Sequence, residues 1–320
     1  MMKTVELVVP CFNEGKMIEL FYNTTTEIVS KIAGYEFSFI FVDDGSKDDT
    51  LEKIKKIAND NNNVKYISFS RNFGKEAAMY AGLKASVADA VAVIDADLQH
   101  PPQLIETMLE AIFEEGYDSC SARRVSREGE PKIRSMFSRL FYKVINKMSE
   151  VEIVDGAVDF RMMKREMVDA VCSMSEKQRF SKGIFCWVGF NTKWISFKNV
   201  ERIAGKSKWS FWSLFKYAVD GIVAFTTTPL KILNFIGIFV SGLSFIFLLV
   251  EFIKKLVLGR AVLAGYTSLI MVILFIGGLV ITSLGIIGEY LAKMYIEVKG
   301  RPVYITKETN IKDLSDKNGK

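Results

Sequence analysis

Ala90-Val91-Ala92-Val93-Ile94-Asp95-Ala96-Asp97-Leu98-Gln99-His100 is an apolar run that ends abruptly in acids. Five apolar residues are too few for a stable helix, and a short run with no polar alternation predicts a strand buried on both faces. Comparable runs lie on either side, at Val5 to Val9, Phe37 to Val42, Val64 to Phe69 and Asp118 to Ala122. Helical stretches separate them: Lys16 to Ile32, Thr50 to Asn59, Lys75 to Ala85 and Pro102 to Glu115, the last opening at Pro101-Pro102 and closing at Gly116. Strands alternating with helices predict βαβ units, hence an α/β fold with a mostly parallel sheet covered on both faces. In such sheets ligands bind beyond the C-terminal ends of the strands. The residues there are Pro10-Cys11-Phe12-Asn13-Glu14, Asp43-Asp44-Gly45-Ser46, Asp95-Ala96-Asp97 and Arg123-Arg124.

Asp95 and Asp97 would share one face of an extended chain, and hard carboxylate oxygens in ones or twos suit Mg²⁺ or Mn²⁺, with substrate phosphates completing the shell. Asp-x-Asp is also a common acidic turn; its place after a central apolar strand favours the metal. Asp43 and Asp44 sit where acids can bond a nucleotide's sugar or base, although Asp44-Gly45-Ser46 equally reads as a turn in which Ser46 or Asp48 caps the next helix. Arg71 to Lys75 opens a helix, where free N–H groups and basic side chains suit phosphate. Neither GxGxxG nor GxxxxGK[ST] occurs, which disfavours dinucleotide enzymes and P-loop NTPases. The single histidine, His100, excludes multi-histidine metal sites, and the four cysteines form no CxxC pair.

The 320 residues are 49% apolar and 25% charged, with mean hydropathy +0.18. That average conceals two regimes. Residues 1–210 are densely charged, whereas 232–250 and 261–288 contain no charge over 19 and 28 residues. A bilayer core of about 30 Å needs roughly 20 apolar residues, so two spans are expected. They would return the chain to its starting side, and the tail from Lys307 to Lys320 looks disordered. The N-terminus lacks signal-peptide organisation and reads directly as a strand, so the charged domain is expected to stay in the cytoplasm.

Between 131 and 148, Ile133, Met136, Phe137, Leu140, Phe141, Val144, Ile145 and Met148 fall on one helical face, and the remainder carries Lys132, Arg134, Arg139, Lys143 and Lys147. Beside two spans, this basic amphipathic helix is expected in the headgroup layer. The aromatic stretch 209–225 reads as a second interfacial helix. The net charge of +5 is spent on that helix and gives no reason to expect nucleic acid.

In order and spacing, Val-Val-Pro-Cys-Phe-Asn-Glu, Val-Asp-Asp-Gly-Ser, Ser-Arg-Asn-Phe-Gly-Lys-Glu and Asp-Ala-Asp-Leu-Gln-His-Pro-Pro resemble family 2 glycosyltransferases of the GT-A (Rossmann-like) fold. The resemblance continues through Asp-Phe-Arg (159–161), Arg-Phe-Ser-Lys-Gly (179–183) and Gly-Lys-Ser-Lys-Trp (205–209) to about residue 305, and with the two spans it is similar to the polyprenyl-phosphate glycosyltransferases, the bactoprenol glucosyltransferase group especially. It implies a nucleotide-sugar-binding core over 1–130 and an acceptor-side part with interfacial helices over 131–230. Transmembrane helices over 231–253 and 266–291 would be joined by an external loop over 254–265, with a cytoplasmic tail over 292–320. By the resemblance, Pro10, Asn13, Glu14 and Asp44 hold the nucleoside, Asp95 and Asp97 serve metal and diphosphate with Gln99 adding a metal or sugar contact, and Arg202 and Lys208 close over the diphosphates. Arg123, Arg134 and Ser138 would hold the lipid phosphate. Asp159, or with less support Asp155, would orient the acceptor or act as base; a bond from these acids to Arg161 that supports the fold is nearly as good a reading. The Gln-x-x-Arg-Trp of processive synthases is missing at Gln178-Arg179-Phe180.

The implied reaction is inverting transfer of one hexose, glucose from UDP-glucose first among donors, to undecaprenyl phosphate at the inner membrane of the cell by a multi-pass protein. Other donors considered are GDP-mannose, UDP-N-acetylglucosamine and a UDP-arabinose derivative. The partners are nucleotide sugar, polyprenyl phosphate and bilayer, and a homo-oligomer is compatible with them. The competing class is a catalytically inactive membrane scaffold, disfavoured by intact Asp95, Asp97, Arg123 and Lys208.

Overall fold

The computed structural model describes residues 2–124, 146, 154, 156–174, 176–177, 179–197, 228–258 and 266–312. The basic helix expected over 131–148 (apart from Asn146), the aromatic stretch 209–225, and Arg134, Ser138, Asp155, Arg202 and Lys208 lie outside the described residues. The chain divides into two compact units: Met1–Lys147 with Val151–Lys216 and Arg301–Lys320, and Met148–Glu150 with Tyr217–Gly300.

All five expected strands form, as β1 (Lys3–Cys11), β2 (Tyr35–Asp43), β3 (Val64–Phe69), β4 (Ala90–Val93) and β5 (Ser119–Arg124). Between them run α1 (Ile18–Val29), α2 (Thr50–Asp60), α3 (Lys75–Ala85) and α4 (Leu104–Phe113). Three further strands, β6 (Ala157–Lys164), β7 (Thr192–Phe197) and β8 (Thr306–Thr309), complete an eight-stranded sheet in the order β7-β5-β6-β4-β1-β2-β3-β8. Pairing is parallel except where β6 lies between β4 and β5 and where β8 meets β3. β4 is buried at every position, as its unbroken apolar run requires. Phe21 of α1 and Phe39 and Phe41 of β2 are fully buried, with Phe21 edge-on to Phe41 at 6.3 Å; such side chains each contribute roughly 1.5–3 kcal/mol on burial. α3 approaches β1 so closely that a Cβ on Gly82 would come within 2.2 Å of Val8.

Following β6 come α5 (Arg165–Ser173) and α6 (Ser181–Trp187), and after β7 two long helices, α7 (Thr228–Leu258) and α8 (Tyr266–Val298). Among the described residues one stretch, Phe275–Val298 in α8, is long and apolar enough to cross a bilayer, with mean hydropathy 1.7. The expected first span, 231–253, falls within the 31-residue helix α7, in which Thr228–Val240 is a shorter apolar stretch among the described residues.

The tail departs from expectation at its start. Thr306–Thr309 is β8, paired antiparallel with β3, and Lys55 joins Glu308 at 2.6 Å. Tyr304 stacks on Phe69 at 4.9 Å. The sequence here is polar, so its order comes from completing a sheet edge and not from a local apolar pattern.

Candidate active site

β6 enters the sheet from the edge at which β4 and β5 end. Its register with β4 ends where Val93 pairs with Arg161, two residues short of Asp95 on one chain and of Asp159 on the other. Between these acids stands Lys75, the first residue of α3. Its Nζ lies 2.6 Å from Asp95 Oδ1 and 2.6 Å from Asp159 Oδ2. Burial alone would lower the lysine's pKa, but Asp159 and Asp95 outweigh it and hold the ammonium above its ordinary value. Asp159 shows the converse: burial raises its pKa, and Lys75 followed by Lys182 more than reverses this, holding the carboxyl well below the usual range. Asp159 is thus committed to Lys75, not to Arg161 as the structural reading of the sequence allowed.

What aims Lys75 is a pair of interlocked loops. Asp44, at the end of β2, accepts hydrogen bonds from the N–H groups of Phe73 (2.6 Å) and Gly74 (2.9 Å). Burial raises its pKa and those two bonds oppose the rise. Gly45 has φ +66°, and a Cβ there would come 2.5 Å from the backbone carbon of Arg71. Of the amides over Arg71 to Lys75 expected to be free for phosphate, those of Phe73 and Gly74 are therefore used by Asp44. Asp43 accepts from Ser46 N–H and Ser68 Oγ–H. Asp48, rather than Ser46, accepts the Thr50 N–H as α2 begins, while Ser46 Oγ accepts from Asn13 N–H. Asn13 has φ +53°, and its Oδ1 accepts the Lys47 N–H. Glu14 N–H donates to Thr50 Oγ1, and Pro10 pairs with Val42 in the sheet. Pro10, Asn13, Glu14 and Asp44 thus gather at one sheet edge, with Asn13 and Asp44 also stapling it.

Asp95 and Asp97 are not on an extended chain: β4 ends at Val93, and Ala96 and Asp97 form a turn with Leu98 at φ +54°. Asp97 Oδ1 accepts the Gln99 N–H at 3.1 Å, as in the acidic-turn alternative. His100 is 5% exposed, stacks on Phe160 at 5.9 Å and lies 3.8 Å from Asp95. Burial depresses its pKa and Asp95 only partly offsets this, which favours neutral imidazole. Arg123 is exposed at the end of β5, opposite Ala157.

Among the described residues no group of three or more His, Cys, Asp and Glu side chains could hold a metal unaided. Mg²⁺ and Mn²⁺ commonly take one or two carboxylates and fill the remaining positions with phosphate and water, so Asp95 and Asp97 fit such an ion. A cation at Asp95 would compete with Lys75 for its carboxylate oxygens. Sequence reasoning placed Lys75 among phosphate-binding residues and passed over Glu76, which accepts Ser181 N–H at 3.0 Å and the Ser181 hydroxyl as well. Burial, reinforced by Asp159, pushes Glu76 up to about 7. A glutamate one position after a helix-opening lysine carries no local sign of either partner.

The model of glycosyl transferase family 2 matches residues 6–172. The protein CsbB of Bacillus subtilis (strain 168), assigned only as a glycosyltransferase, is 46% identical, covering 98% of this chain and 95% of its own. An SfII prophage-derived bactoprenol glucosyl transferase of Shigella flexneri is 40% identical over 96% of this chain and 98% of its own. A crystal structure of glucosyl-3-phosphoglycerate synthase from Mycobacterium tuberculosis superposes with TM-score 0.48 at 18% identity, covering 69% of this chain and 76% of that one.

Proposed function

The chain belongs to glycosyl transferase family 2, and from that premise we propose that it transfers a single hexose, glucose from UDP-glucose, onto undecaprenyl phosphate at the cytoplasmic face of the membrane. The observation that carries the reading is the convergence of Asp95, Lys75 and Asp159 at the C-terminal edge of the parallel strands, the edge at which such sheets bind their ligands. Similarity to bactoprenol glucosyl transferases over nearly the whole chain supports the acceptor and the sugar.

Pro10, Asn13, Glu14 and Asp44 are proposed to surround the nucleoside, and Asp95 and Asp97, with Gln99, to hold Mg²⁺ or Mn²⁺. When bound, that ion would neutralise charge on the departing diphosphate. Lys75 releases Asp95 and stays with Asp159, a cation beside the transferring centre. A phosphate monoester, with a second pKa of about 6, is already largely anionic at neutral pH, so the acceptor needs no strong base. Asp159 in this reading orients Lys75 and the acceptor. Arg123, with Arg134 and Ser138 of the segment expected to be a basic helix, is proposed to bind the lipid phosphate, while Arg202 and Lys208 cover the diphosphates. In-line attack inverts the anomeric carbon.

Two crossings of the membrane are part of the proposal. β7 precedes the long helices and β8 follows them, yet both belong to one sheet. The chain between them must cross a bilayer an even number of times, so a spanning α8 requires a second crossing, for which the uncharged segment 232–250 is available. Exposed Phe235, Phe239, Phe275 and Ile281 suit such surroundings.

The test incubates membranes containing the protein with undecaprenyl phosphate and labelled UDP-glucose, GDP-mannose, UDP-N-acetylglucosamine and UDP-arabinose derivatives. A lipid-linked product from UDP-glucose, lost in Asp97→Ala, is expected. No product from any donor would favour the inactive scaffold.

A further inference from the structure

Arg161 is left unexplained by the site above. It is 3% exposed, with its guanidinium carbon 4.6 Å from the Phe185 ring centroid and 5.5 Å from that of Trp194. Its Nε has no hydrogen-bond partner among the described residues. The carboxylate that acts on it, Asp159, is already committed to Lys75. Burial lowers its pKa to about 10, which leaves it charged at neutral pH. A desolvated guanidinium with an unpaired Nε is costly unless something supplies an acceptor.

The arginine lines a cavity of about 430 Å³ together with Val154, Phe185, Asn191, Thr192 and Trp194. That volume is in the range of small-ligand sites, roughly 300–1,000 Å³. Asn191 and Thr192 stand at the start of β7, away from the strand ends that carry Asp95 and Arg123. Ser121, the register partner of Arg161 on the same face, has a buried Oγ that also lacks a partner among the described residues. In the cavity wall itself, the unpaired Nε of Arg161 and the side-chain amide of Asn191 are donors that suit the multiple oxygens of a phosphate group.

We propose that this cavity binds a phosphate group on Arg161, supplied by free phosphate or by a prenyl phosphate headgroup. The site is separate from the acids assigned to the nucleotide sugar and does not depend on which donor is used. The test uses the full chain in detergent micelles and follows its unfolding midpoint during titration with inorganic phosphate and, separately, geranyl monophosphate, at matched ionic strength.

The midpoint of the natural protein should rise and saturate with at least one of them. Arg161→Met, of similar volume and uncharged, should weaken the apparent affinity at least tenfold yet unfold no earlier than the natural protein in phosphate-free buffer. A response to inorganic phosphate identifies free phosphate as sufficient, and a response confined to geranyl monophosphate identifies the lipid headgroup. Should Arg161→Met fail to fold, Asn191→Leu in the cavity wall should lower the affinity instead. Absence of any shift in the natural protein, or a full shift in Arg161→Met or in the fallback variant, overturns the proposal. Stabilisation by UDP with Mn²⁺ should persist in Arg161→Met, which separates this site from the proposed glycosyl transfer.

Discussion

Replacing Lys75 by methionine keeps an unbranched side chain one atom shorter and removes the charge between Asp95 and Asp159. Each carboxylate has an oxygen 2.6 Å from the same nitrogen, so those oxygens stand within about 5 Å of each other. Two like charges at that distance repel by about 3 kcal/mol at an effective dielectric near 20. Side-chain exposures of 41% for Lys75, 24% for Asp95 and 21% for Asp159 admit solvent, which reduces the expected loss to roughly 1–2 kcal/mol. At about 2–4 °C per kcal/mol, the unfolding midpoint in EDTA should fall by several degrees at neutral pH. Mn²⁺ should recover more of that stability in Lys75→Met than in the natural protein, because it no longer competes with an ammonium for Asp95. Mn²⁺ affinity, read by loss of the free-ion electron paramagnetic resonance signal, should rise while turnover falls. An unchanged midpoint together with unchanged Mn²⁺ affinity would refute the placement of Lys75 as the resident cation of the acid pair.

Glu76 predicts a pH dependence of stability. Its folded pKa of about 7 exceeds the ordinary 4.5, so the fold binds the proton more tightly than the unfolded chain does. That contribution is complete below about pH 4.5 and is lost as pH rises through 7, by at most about 3 kcal/mol. Glu76→Gln can still accept from Ser181 and should flatten the decline between pH 5 and 7.5 in thermal unfolding; an identical pH profile would count against the assignment. Gly45→Ala should destabilise by about 2 kcal/mol or more in denaturant titration, because its left-handed backbone and the Arg71 backbone 2.5 Å away both oppose a Cβ. A neutral substitution there would mean that the two loops are not locked. Arg134→Ala should raise the acceptor KM and leave UDP-glucose binding unaltered, and an unchanged acceptor KM would remove that arginine from the phosphate site.

The sequence by itself determined the parallel core and its ligand edge. Strands buried on both faces must be apolar throughout, so polar residues mark where each strand leaves the sheet, and Asp44, Asp95 and Arg123 were legible there. Order and spacing of the motifs were enough to identify the family. Tertiary structure decided which charges meet. Lys75 and Asp159 are 84 positions apart, and their pairing follows from the antiparallel entry of β6 between β4 and β5, a register that no local periodicity encodes. The same holds for Asp44, whose carboxylate is used by the amides that seemed open to phosphate, and for β8, a polar segment ordered by the edge of β3. Local patterns record which face of an element is buried; long-range register and charge pairing record which partner it finds, and at this site the partners set the chemistry.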